Sequence, residues 1–297
     1  MSEATILDRI VVQRREDVRA AKLATPFPAL QEKVRAAPPA MDFAERLRSA
    51  APMALIAEIK RASPSKGDIA PGINAPRQAM VYARGGAAAI SVLTEPTWFK
   101  GTLDDMELVR QAVGQLGDSR PAVLRKDFIV DGYQVMEARA HGADAILLIV
   151  ACLSESELSG LMELSREMGM EPLVEVNNAP EMERAAKSGA KVIGINNRDL
   201  RSFNVDLGTT DRLAGMVPEG TIVAALSGIA SREDVERFAD AGASAVLVGE
   251  ALMLAVDPGE KVRELLALTP QPPLPTARER GSDVAGARSV HDSTATR

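Results

Sequence analysis

The stretch MALIAEIKRASPSKG, residues 53–67, opens as an apolar run of strand length and closes in a polar turn punctuated by Pro and Gly. A run that is nearly apolar throughout suits a strand covered on both faces, as in a parallel sheet wrapped by helices. Two charges interrupt it, Glu58 and Lys60, and because strand side chains alternate they share one face. The turn discriminates between the two parallel-sheet architectures. A doubly wound open sheet calls for a Gly-rich G-x-G-x-x-G turn after its first strand, and EIKRASPSKG is not that motif. An open sheet also typically has fewer strands than this chain offers.

Downstream the same pattern recurs. Strand candidates are Met53–Lys60, Ala88–Thr94, Pro121–Lys126, Ala145–Val150, Glu171–Val176, Val192–Asn196, Thr221–Leu226 and Ala245–Val248. Amphipathic stretches near 75–84, 103–116, 132–140, 154–168, 178–188, 209–216, 231–241 and 259–267 alternate with them, and Gly85, Gly142, Gly189 and Gly242 suit helix C-caps. Eight strand–helix pairs are what a (β/α)8 TIM barrel requires, so the predicted class is α/β. Residues 51–267 are assigned to the barrel and residues 1–50 to a helical extension packed on it. In the extension Ile6, Ile10 and Val18 fall on one helical face, Asp42 caps a helix over Phe43–Ala50, and Pro26, Pro28, Pro38 and Pro39 interrupt the segments. Residues 268–297 are rich in Pro, Arg, Ser and Thr and are expected to be a disordered, solvated tail, its P-x-x-P patterns notwithstanding.

Aromatics make up 3% of the 297 residues, so the core must be built from Ala, Val, Leu, Ile and Met, which suits a barrel interior. The net charge of −6 and the lack of a dense basic stripe argue against nucleic acid as a partner. The longest apolar runs, such as Ala145–Leu153, are too short to span a bilayer, and MSEATILDRI has no basic segment leading into a long apolar one. The expected location is therefore the cytoplasm, and the expected assembly a monomer or weak homo-oligomer. The single cysteine, Cys152, is expected to be a buried structural thiol.

Charges at strand ends carry the chemistry. In a barrel the C-terminal strand ends converge on one mouth, which would gather Glu58, Lys60, Lys126 and Glu175. Charged groups in poorly solvated places are costly unless paired or used. A structural ion-pair network at the rim explains any one of them more easily than all four; Arg125 and Asp127, flanking Lys126, should point outward and fit that bland reading better. Ser227-Gly228 follows the seventh strand and Gly249-Glu250 the eighth, where barrels hold phosphate on backbone N–H groups. Asn196 after the sixth strand suits either sugar hydroxyls or a turn cap. His141 and His291 are poorly placed, Ser227 has no His partner for a triad, and no His/Cys/carboxylate cluster has metal-ligand spacing. Acid–base work falls to Lys and Glu.

At these residues the chain resembles indole-3-glycerol phosphate synthases. The matching strings are IAEIKRASPSKG (56–67), SVLTE (91–95), LRKDFIVDGYQV (124–135), LVEV (173–176), IGINNRDL (193–200) and VGEALM (248–253), within a resemblance over about residues 5–266. The resemblance implies a carboxy-lyase of tryptophan biosynthesis, EC 4.1.1.48, that needs no cofactor and no metal. Its phosphorylated small-molecule substrate is 1-(2-carboxyphenylamino)-1-deoxyribulose 5-phosphate, from which CO2 and water are lost. It implies Lys126 as the acid at the ribulose carbonyl, Lys60 on the substrate carboxylate, Glu58 orienting Lys60, and Glu175 with Asn196 in the dehydration, with Ser227 in the same catalytic set. Ser63, Gly228, Gly249 and Glu250 resemble the phosphate grip, Arg198 joins the substrate-binding set, and Trp98, Phe99 and Phe128 would wall the aromatic ring.

One position departs from the pattern. Family members usually read A-E-S-G-I at the end of strand seven; here Leu226 stands where the Glu would be. Losing that carboxylate should leave a nearby lysine less stabilised as a cation, so Leu226 is expected to lower turnover without preventing phosphate binding. Two other readings are weighed. A phosphate-binding barrel isomerase would want Asp or Cys on strands one and five, which Lys60 and Glu175 fit poorly. A weakened barrel kept as a binding partner is favoured by Leu226 alone and opposed by the rest of the set.

Overall fold

A computed structural model of the chain describes residues 4–267. Eight parallel strands close into one barrel: β1 (Ala54–Ile59), β2 (Ala89–Leu93), β3 (Ala122–Lys126), β4 (Ala145–Ile149), β5 (Leu173–Val176), β6 (Val192–Asn196), β7 (Ile222–Leu226) and β8 (Ala245–Val248). Each pairs with its sequence neighbours, and β8 returns to β1. The expected barrel is the observed one, its strands matching the predictions to within two residues at either end.

Three helices precede the barrel: α1 (Ile6–Ala24), α2 (Phe27–Ala36) and α3 (Phe43–Arg48). Between and after the strands come α4 (Ala75–Gly85), α5 (Leu103–Gly114), α6 (Gly132–Ala140), α7 (Glu155–Glu167), α8 (Ala179–Lys187), α9 (Gly208–Leu213), α10 (Arg232–Asp240), α11 (Glu250–Met253) and α12 (Pro258–Leu266). Side chains dictate most boundaries. Thr5, Asp42, Asn74, Thr102, Asp131, Ser154, Asn178, Ser231 and Asp257 each accept an amide of the first turn they cap.

Several local expectations are corrected. Pro28 does not interrupt α2 but sits in its first turn, where its missing N–H is no loss. Gly86, not Gly85, takes the left-handed conformation after α4; Gly85 is the last helical residue, pressed against Val262. The helix begun at Asp42 stops at Arg48, short of Ala50. The 209–216 stretch divides into α9 and a 3-10 turn over Ala214–Met216. The tail expected at 268–297 lies outside the described residues.

The lumen explains the poverty of aromatics. Following the strand registers around the ring, with the one-residue step per strand of a shear-8 barrel, inward side chains fall into layers of four. Ser91, Leu147, Gly194 and Leu247 form one layer, Glu58, Lys126, Glu175 and Leu226 the next, and Leu93, Ile149, Asn196 and Gly249 the one toward the C-terminal mouth. Gly194 is required by its neighbours: a Cβ there would lie 2.7 Å from Leu226 Cδ1 and 3.2 Å from Leu173 Cδ1.

α1 and α3 belong to the barrel rather than hang from it. Phe43 and Leu47 of α3 are buried in the same cluster as the lumen residues Ala54, Ala122 and Ala245. Val18 of α1 and Leu30 of α2 cluster with Tyr133 and Met136 of α6.

Candidate active site

A cavity of about 550 Å³ opens at the C-terminal mouth, well within the range of small-molecule sites. Its charged floor is the second of the layers just described. Glu58 is 5% exposed and Glu175 2%. Lys60, one step beyond the end of β1, puts its Nζ 3.1 Å from Glu58 Oε1. Lys126, ending β3, has its Nζ 3.8 Å from Glu175 Oε2. That oxygen is buried and makes no hydrogen bond, whereas Oε1 accepts from Asn196 Nδ2 at 2.8 Å. Asn196 is fixed in turn: its Oδ1 accepts the Arg198 amide at 2.9 Å and its carbonyl accepts Asn177 Nδ2 at 2.7 Å. Burial opposes ionisation of Glu58, but the charges of Lys60, Lys126 and Arg198 outweigh it and hold the carboxyl below the ordinary glutamate range.

Part of the wall is backbone. Ser227 adopts a left-handed φ of 67°, uncommon for a residue with a Cβ, and Gly228 follows at 81°. Such strain persists where the surroundings enforce it, and it concentrates at working sites. A Cβ on Gly228 would collide with Leu207 and Val205. At Gly249 a Cβ would stand 2.5 Å from Glu58 Oε1, so this glycine makes room for the carboxylate. Ser63 sits in a short hairpin, Ala62–Ser63 against Gly67–Asp68, that leaves β1. Arg61 at its root is clamped by the Asp105 carboxylate of α5, and Lys66 reaches Glu250 at 3.3 Å across the mouth. An apolar side is formed by Phe99 and Phe128, with ring centroids 6.1 Å apart.

The chain compares with known proteins as follows. The family model described as indole-3-glycerol phosphate synthase matches residues 7–265. The chain belongs to the indole-3-glycerol phosphate synthase family. Among relatives, an indole-3-glycerol phosphate synthase of Dehalococcoides mccartyi is 48% identical over 262 residues, covering 88% of this chain and 100% of the relative. Another, of Roseiflexus sp. (strain RS-1), is 47% identical over 263 residues, covering 88% and 98%. A multifunctional tryptophan biosynthesis protein of Phanerodontia chrysosporium is 56% identical over 271 residues, covering 89% of this chain but 34% of that protein. The chain thus spans about a third of the length of such multifunctional relatives. Among solved structures, a thiamine phosphate pyrophosphorylase from Pyrococcus furiosus aligns at TM-score 0.55 and 19% identity, over 74% of this chain and 95% of that one. The tryptophan synthase alpha subunit of Legionella pneumophila aligns at 0.54 and 16%, over 76% and 98%. At these identities they report the barrel fold alone.

In this family member the structure brings together fourteen of the fifteen residues singled out from sequence: Glu58, Lys60, Ser63, Phe99, Lys126, Phe128, Glu175, Asn196, Arg198, Leu226, Ser227, Gly228, Gly249 and Glu250 all line the cavity. Trp98 does not. It packs beside Phe99 against the inner cluster, half-buried, outside the lining. Arg125 turns out of the lumen, as expected of a structural residue, while Asp127 also borders the cavity; neither is solvated, for both are buried, Thr94 bonds to both, and Arg14 pairs with Asp127. Cys152 is half-buried rather than buried, and burial, with the charges of Glu175 and Glu181, pushes its thiol up to about 12, where it stays protonated at neutral pH. Lining residues that sequence reasoning missed include the lumen-facing Leu147, Ile149 and Leu247 and, in the β6–α9 loop, Phe203 and Val205. The alternation of each strand signals the first three; the loop pair carries no periodic signal at all. No helix among the described residues is long and apolar enough to cross a membrane.

Proposed function

We propose that the chain closes the indole ring, converting 1-(2-carboxyphenylamino)-1-deoxyribulose 5-phosphate to indole-3-glycerol phosphate, CO2 and water. The observation that supports it best is the charged cluster: two lysines and two glutamates face one cavity that also offers glycine backbone for an anion and an aromatic side.

The chemistry follows from those groups. The ring carbon bearing the carboxylate attacks the ribulose carbonyl carbon, and Lys126 Nζ gives the carbonyl oxygen its proton. Lys60 Nζ, oriented by Glu58, holds the substrate carboxylate until CO2 leaves and its bonding electrons restore the aromatic ring. Loss of the new hydroxyl as water, with a ring proton, completes the pyrrole. Glu175 suits that last proton transfer, because Oε2 has an unused lone pair facing Lys126 while Asn196 holds Oε1. The phosphate is assigned to the Gly228 and Gly249 backbone with Ser63, and the benzene ring to Phe99 and Phe128. As an oligomer the chain is read as a monomer or weak homo-oligomer, acting in the cytoplasm without nucleic acid.

Incubating the purified protein with this substrate and following indole fluorescence tests the reading. Lys126→Ala is expected to lose at least about 10²-fold in kcat, the range of general acid catalysis. Substrate consumption with no indole chromophore, or binding without product over hours, overturns it in favour of an isomerase or a non-catalytic barrel.

A further inference from the structure

The string SVLTE, residues 91–95, ends in a carboxylate that the chemistry above leaves unused. Glu95 follows β2 by two residues and is 0% exposed. Its Oε1 accepts the Thr97 amide at 2.9 Å, and its Oε2 accepts the amides of Trp98 at 2.7 Å and Phe99 at 2.9 Å. Three successive backbone donors thus converge on one buried anion, a charge-assisted arrangement stronger than neutral pairing. The loop is pinned again on its return. Lys100 takes a left-handed φ of 55°, the Gly101 amide donates to the Glu95 carbonyl at 3.0 Å, and a Cβ on Gly101 would stand 1.9 Å from the Leu93 carbonyl oxygen. What this knot presents to the cavity is Phe99, tilted 40° against Phe128.

We propose that Glu95 is a positioning residue: by gathering the amides of Thr97, Trp98 and Phe99 it holds Phe99 as the wall on which the substrate's benzene ring docks. The inference rests on the ring-closing reading above. Glu95 touches no reacting atom; it acts through the loop. Glu95→Gln keeps the shape but replaces one acceptor oxygen by an NH2 that faces N–H groups, so at least one of the three amides loses its acceptor.

The chain's single tryptophan, Trp98, sits inside the knot and reports on it. In Glu95→Gln its emission should shift to the red and acrylamide quenching should rise. KM should rise about tenfold while kcat changes by less than about threefold, the pattern of lost ground-state binding. Phe99→Ala should raise KM similarly, and the double variant should be no worse than Phe99→Ala alone, because both changes remove the same wall. An unchanged Trp98 signal, a fall in kcat at constant KM, or KM effects that multiply in the double variant overturn the proposal. Should Glu95→Gln not fold, hydrogen exchange in the unaltered protein decides: amides 97–99 exchanging as slowly as those of β2 support the clamp, and rapid exchange refutes it. An unaltered protein that makes no indole would sink the ring-closing reading, while the Trp98 and exchange measurements would still report on the clamp.

Discussion

Gly249 borders the charged layer and Leu226 belongs to it, and each sets a testable limit. A methyl group at position 249 would overlap Glu58 Oε1 at 2.5 Å, and the carboxylate, already packed at 5% exposure, must then swing away from Lys60. Gly249→Ala is therefore expected to cost about 10²-fold in kcat/KM, the scale of a misplacement of about 1 Å at a catalytic group, with a smaller loss of stability; steady-state kinetics beside a thermal melt separates the two. Leu226 completes a layer whose other three members are ionisable, and it is 1% exposed. Leu226→Glu returns the family's carboxylate to within the field of Lys126 and Arg198, and kcat/KM should rise. The same change buries a new charge in place of a packed aliphatic side chain, so Tm should fall by several degrees, as about 1–3 kcal/mol implies. An unchanged or lower kcat/KM would show that the layer works as it stands.

At the scale of elements, the contact that matters most is one between α1 and the end of β3. Arg14 donates from Nε and Nη2 to the two oxygens of Asp127 at 3.0 and 2.9 Å; Asp127 also accepts the Phe128 amide at 2.8 Å and bonds from Thr94 and Arg125. The extension thereby grips the residue that lies between Lys126 and Phe128. Arg14→Met should destabilise the protein by about 3 kcal/mol, the cost of breaking a buried pair from one side, and raise KM through Phe128; urea denaturation and kinetics check both. Nothing in the sequence of α1 pairs Arg14 with a residue 113 positions away. Here the limits of reading a chain become physical. Strands and helices were legible because burial on two faces or one imposes a period, and the Asp42 cap because a short acceptor side chain competes for backbone amides over three residues. The four charged residues of the mouth were legible because ions are conspicuous in apolar runs. α11 was not, having four residues. Nor was the Glu95 knot, whose partners are backbone amides common to every sequence, nor the retreat of Trp98 from the cavity, which turns on a loop conformation.

For the molecule as a whole, acid is the informative perturbant. Burial raises the Asp127 carboxyl, but Arg125 and Arg14 more than compensate, so it lies below its ordinary 3.8, as Glu58 lies below its ordinary 4.5. Both groups then bind protons in the unfolded chain before they do so in the folded one. Their contribution is complete above about pH 5 and shrinks as pH falls through the ordinary values toward the folded ones. Urea midpoints should hold steady from pH 7 to 5 and drop below that, and Asp127→Asn, though less stable throughout, should show a shallower fall; an equal slope would remove Asp127 from the account. A last consequence concerns descent. Because position 194 has no room for a single carbon while Leu226 and Leu173 keep their size, volume in this part of the ring is held in common. Lineages that drift should trade it across the gap, bulk appearing at 194 only where 226 or 173 has grown smaller.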